Sequence, residues 1–124
     1  MGFKKILIAA DESPIAAHAA EIGVALAKCL KGELAFIHVI DTSHVSVSPK
    51  LETPIDNPAT VQEQKGKNLL TAFRERAGTS PPALEFLEAG KPLAKIVEGA
   101  KCWPADMIVI GSHGRGAIQS LFWG

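Results

Sequence analysis

The chain has 124 residues, 47% hydrophobic and 21% charged, which is the size and composition of one globular domain with an apolar core of its own. Lys plus Arg and Asp plus Glu number 13 each, and the resulting zero charge argues against duplex nucleic acid or an anionic membrane as the main partner. No apolar run approaches the roughly 20 residues needed to span a bilayer.

The first predicted element is the unbroken apolar run from Lys5 to Ala10, which reads as a strand covered on both faces. It ends at Asp11-Glu12-Ser13-Pro14, where Ser13 is a good N-cap and Pro14 a good first helical residue. The helix that follows carries Ile15, Ala19, Ile22, Leu26 and Cys29 or Leu30 at helical spacing, so these residues are its expected inner stripe. Lys31-Gly32 supplies the stop, with glycine in the usual terminal role.

Glu33 to Ile40 reads as the second strand. The segment from Asp41 to Ala59, with Pro49, Pro54 and Pro58, has no period and is expected to be a long loop. A second helix is predicted from about Thr60 to Ala77, with Leu69, Leu70, Phe73 and Ala77 facing inward. Ala83 to Glu88 alternates in part and fits a strand near a sheet edge. Gly90-Lys91-Pro92 opens a third helix with Leu93, Ile96, Val97 and Ala100 on one face. Asp106 to Ile110 is the fourth strand. Gly111-Ser112-His113-Gly114-Arg115-Gly116 is a glycine-rich turn, and Ala117 to Trp123 opens a last helix.

Strands alternating with helices imply a doubly wound α/β domain, with a parallel sheet, right-handed crossovers and helices on both faces. Ligands of such sheets sit outside the carboxyl ends of the strands, where strand order reverses. Asp11-Glu12-Ser13, Val39-Ile40-Asp41, Glu88-Ala89-Gly90 and the glycine turn from Gly111 all fall there. Gly111, Gly114 and Gly116 leave backbone amides unshielded ahead of a helix, a combination suited to phosphate, although the same glycines serve a tight turn or close packing equally well. Asp11 has two open roles: accepting from ribose hydroxyls, or accepting from a backbone amide at the start of the helix.

Several chemistries lack their residues. There is no G-x-x-x-x-G-K-[ST] loop, no dinucleotide fingerprint after the first strand, and no G-x-S-x-G elbow. His18, His38, His44 and His113 do not have metal-ligand spacing. Asp11-Glu12 is a pair of hard oxygen ligands of the kind that hold Mg²⁺. His18 and His44 read as solvated, and His38 as a hydrogen-bonded strand residue. Cys29 and Cys102 form no C-x-x-C pair and read as buried, reduced thiols of a cytoplasmic protein.

Four blocks resemble the universal stress protein family over almost the whole chain: Lys4 to Asp11, His38-Val39-Ile40-Asp41, Gly90-Lys91-Pro92, and Asp106 to Gly116. The last is the most specific. The nucleotide-binding branch of that family has G-x-x-G, nine residues, then G-[S/T]; Gly111 and Gly114 match the first pair and Gly124 the later glycine. The resemblance implies an ATP-binding protein with strand order 3-2-1-4-5. It implies adenine near Ala9 and Val39, with Val39 offering backbone hydrogen bonds, and the adenosine held by Asp11 through its ribose. Ile110 and Gly111 would then line the ribose, and His113, Gly114 and Gly124 would approach the phosphates, with ATP accompanied by Mg²⁺. No residue is assigned a catalytic role, and any ATP hydrolysis is expected to be slow.

The sequence departs from the family after Gly124, where the Ser or Thr and the fifth strand are wanting. One domain spanning residues 1–124 without that strand is therefore expected, and a homodimer where the strand is present. A dimeric stress protein that does not use nucleotide is the alternative reading. A response-regulator-like phosphoacceptor is a weaker one, since Asp11-Glu12 fits it but Glu88 stands where the acceptor aspartate belongs.

Overall fold

A computed structural model describes residues 4–42 and 58–111, the side chains of 58 and 59 excepted. In chain order the elements are β1 (Lys5–Ala9), α1 (Pro14–Leu30), β2 (Glu33–Asp41), α2 (Pro58–Ala77), β3 (Leu84–Gly90), α3 (Pro92–Cys102) and β4 (Met107–Val109). The four strands form one parallel sheet in the order β3-β2-β1-β4. The partly polar strand β3 lies at the edge, as its alternation predicts.

The topology follows from the handedness of the connections. From β1 to β2 to β3 the chain steps outward in one direction, so right-handed crossovers lay α1 and α2 on one face. The return from β3 to β4 crosses the other way and lays α3 on the opposite face. Side-chain alternation then divides the core. Ile6, Ile8, Leu34 and Phe36 pack toward α1 and α2 with Leu70, while Leu7, Ala35 and Ile37 pack toward α3 with Ile96 and Ala100. Ile6, Leu7, Ile8 and Phe36 have no exposed surface, as the continuous apolar runs require.

The buried stripe of α1 differs from the expected one. It consists of Ala16, Ala19, Ala20, Gly23 and Ala27, whereas Ile22 is 53% exposed and Ile15 and Leu30 are exposed as well. Both stripes have helical period and lie about one residue apart around the axis. Close approach to the sheet decides between them: a Cβ on Gly23 would stand 2.6 Å from Ile8 Cδ1. In α3, too, only part of the expected face is covered: Ile96 and Ala100 are buried, but Leu93 and Val97 are exposed. Cys29 and Cys102 are both exposed, so the expectation of buried thiols is corrected. Cys29 follows the exposed flank of α1, and Cys102 ends α3 beside Phe86 and Trp103.

Local signals performed better. Ser13 Oγ accepts from the Ala16 amide at 3.1 Å, the expected N-cap. At the other end of α1, Lys31 rather than Gly32 adopts the left-handed conformation, with φ 56° and ψ 43°, and the Gly32 amide bonds the Ala27 carbonyl at 2.8 Å. Gly32 is there for space, because a Cβ would lie 2.6 Å from the Lys4 carbonyl oxygen. Helix α2 begins at Pro58, two residues earlier than expected, with proline at its start.

Candidate functional site

Beyond the carboxyl ends of β1, β2 and β4, and under the first turn of α3, lies a crevice of about 420 Å³. That is within the range of small-molecule sites, about 300–1,000 Å³. It sits where the strand order reverses between β1 and β4, the position at which open α/β sheets bind ligands. Ala9, Asp11, Val39, Ile110 and Gly111, five of the residues singled out in the sequence, all line it. His113, Gly114 and Gly124 lie outside the described residues.

β1 ends one register step short of what β2 still offers. Ala9 pairs with Ile37, and the Ala10 amide then donates to the Ile37 carbonyl at 2.8 Å. Peptide groups alternate sides along a strand, so the N–H and C=O of Val39 point the same way as those of Ile37. They face the space that β1 has already left, and that space is the crevice.

Asp11 follows at once. Its Oδ1 accepts from the Ser13 amide at 2.7 Å, and the carboxylate is exposed at the crevice rim. The local role of the two read from the sequence is therefore formed. It does not exhaust the side chain, because a carboxylate has two oxygens and about four acceptor sites. Gly111 is held tightly on the opposite side: a Cβ there would stand 2.6 Å from Ile15 Cγ2 and 2.7 Å from the Ile15 carbonyl oxygen. This glycine lets the chain leaving β4 pass against the start of α1.

The crevice also contains residues to which the sequence reading gave no binding role. Ile37, Pro92, Leu93 and Ile96 supply apolar wall, and Asp41 adds a second exposed carboxylate. His38 borders it too, while its Nδ1 lies 2.8 Å from the Ala10 carbonyl oxygen. A carbonyl only accepts, so Nδ1 carries the proton. The sequence signal for these residues was partial: His38, Asp41 and Pro92 fall in recognisable blocks, but nothing local brings the first turn of α3 beside β1. The arrangement is an apolar slot with backbone donors and acceptors along one side and a carboxylate at the rim. Among the described residues, no cluster of three or more His, Cys, Asp or Glu side chains could hold a metal ion.

The model of the universal stress protein family matches residues 2–124. Universal stress protein YxiE of Bacillus subtilis is 30% identical, over 98% of this chain and 87% of that protein. Universal stress protein UspA from Lactobacillus plantarum has a similar structure, with a TM-score of 0.68 and 26% identity over 100% of this chain and 87% of that one. A universal stress protein family protein from Arabidopsis thaliana, solved with AMP bound, shares the fold at a TM-score of 0.66 and 21% identity, over 94% of this chain and 82% of that one. A universal stress protein solved in complex with cAMP shares it at a TM-score of 0.57 and 18% identity, over 90% and 77% of the two chains.

Proposed function

The chain belongs to the universal stress protein family, and on that premise we propose that the crevice between β1 and β4 binds an adenine nucleotide. One observation carries the reading: Ala9, Asp11, Val39, Ile110 and Gly111, distant in sequence, line one slot at the reversal of strand order. The base enters between Ala9 and Val39, where the Val39 peptide groups serve its polar edge. The Asp11 carboxylate accepts from the ribose hydroxyls, and Ile110 and Gly111 close the sugar side. The solved relatives that carry AMP and cAMP support the ligand class.

The nucleotide we assign is ATP with Mg²⁺, its phosphates directed to His113, Gly114 and Gly124. The protein then works as a nucleotide-dependent stress-response module rather than a dedicated enzyme. A cytoplasmic location and a homodimer belong to the same reading, and light scattering reports the second. No helix among the described residues is long and apolar enough to cross a membrane.

Titration of a fluorescent ATP analogue, with and without Mg²⁺, tests the proposal. Saturable binding that AMP and ATP displace, and that Asp11→Ala weakens, is the expected result. An absence of binding at millimolar nucleotide overturns it and leaves the dimeric protein that does not use nucleotide.

A further inference from the structure

On the other face of the sheet, α1 and α2 diverge around a second cavity of about 390 Å³. Phe36 lies at its base, fully buried, and Phe73 stands at its side; the two rings meet edge to face, with centroids 5.6 Å apart at 69°. The facing side chains Ala17, Ala20 and Ala72 are too short to close the space between the helices. Three charged residues, Glu21, Lys28 and Arg76, stand around the opening. Arg76 is engaged across it, with a guanidinium nitrogen 3.6 Å from Glu21 Oε2. Among the described residues, the Lys28 ammonium is paired with no carboxylate.

An apolar trough with an aromatic wall and, at its lip, one cation that pairs with no described carboxylate is complementary to a ligand of matching build. We propose that this cavity binds a small aromatic monoanion, its ring body against Phe73 and its charge at Lys28. The site is separate from the crevice. Phe36 points to one face of β2, whereas Ile37 and Val39 point to the other, so the two ligands lie on opposite sides of the sheet. Area and aromatic contact supply the attraction; the lysine selects the sign of the charge.

The probe is 8-anilino-1-naphthalenesulfonate, titrated into the full chain at neutral pH, with N-phenyl-1-naphthylamine as its uncharged counterpart. Saturable binding at one site is expected. Lys28→Glu, at an exposed position, weakens the sulfonate about tenfold, a charge effect of the size expected near a protein surface, and leaves the uncharged probe nearly unchanged. Ala72→Phe, also at an exposed position, fills the opening and abolishes both; Ala25→Leu is the second filling variant, should circular dichroism show that the first is unfolded. Excess ATP leaves the probe in place. Sulfonate binding that ignores Lys28→Glu and a folded filling variant, that ATP displaces, or that does not saturate overturns the proposal.

Discussion

His38 in β2 donates its Nδ1 proton to the carbonyl oxygen of Ala10, 2.8 Å away, and so ties the end of β1 to the strand beside it. The imidazole has room because α2 presents a glycine: a Cβ on Gly66 would stand 3.0 Å from His38 Cδ2. The Ala10 carbonyl is the last polar group before Asp11, so the bond holds the chain where it turns over the crevice. It is a side chain of one strand fixing a backbone bend at the end of its neighbour.

His38→Leu should remove that donor and leave the carbonyl without a partner in a half-buried place. The expected cost is about 1–3 kcal/mol, read from urea unfolding. Nucleotide affinity should fall with it, because the Asp11 turn loses its anchor. A variant of unchanged stability would show that water replaces the imidazole.

Asp106 makes a comparable tie at the opposite end of the sheet. Its Oδ2 accepts from the amides of Lys4 and Lys5, each at 2.9 Å. These two bonds, that from Lys5 first, hold its pKa below the ordinary 3.8, and the Lys5 charge adds to the effect. A carboxyl depressed in the folded state stabilises it above the unfolded pKa, and that stability is lost as pH falls through the folded value. Thermal midpoints of the parent and Asp106→Asn should therefore differ at pH 6 and converge as the pH drops well below 3.8. Parallel curves down to acid pH would refute the assignment.

The expected and the observed stripe of α1 make opposite forecasts for Ile22. Ile22→Ser changes a side chain that is 53% exposed and should alter stability by no more than about 0.5 kcal/mol. By contrast, Leu70→Ala in α2 empties a site that is 1% exposed and should cost about 2–5 kcal/mol. Chemical denaturation of both variants checks the pair together, and a large loss at Ile22 would mean that something covers that flank.

Gly111→Ala tests the wall of the crevice. The new methyl would meet the Ile15 backbone, whose carbonyl oxygen would be 2.7 Å away, and a backbone cannot rotate aside as a side chain can. Overpacking of this kind costs about 1–3 kcal/mol. Because the wall moves as well, binding of a fluorescent nucleotide should weaken even where the fold survives. Unimpaired binding at full stability would place Gly111 outside the site.

Hydropathy pattern and local chemistry were enough for the order of the described elements, the parallel α/β class, the Ser13 cap and the placing of Ala9, Asp11 and Gly111 at strand ends; the last helix, expected from Ala117 to Trp123, lies outside the described residues. Those features depend on short-range interactions: an apolar run sheltered on both faces, a hydroxyl three residues from an amide, a proline at a first turn. They repeat in any chain with the same letters in the same order. Which side of α1 meets the sheet was decided elsewhere, by how near a helix can come to Ile8 when Gly23 and four alanines form its contact surface. The crevice likewise needed the crossover that carries α3 to the far face, because only there do Pro92, Leu93 and Ile96 stand beside β1. Periodicity identifies an apolar face but not the distance to its partner, and that distance selects small side chains over large ones.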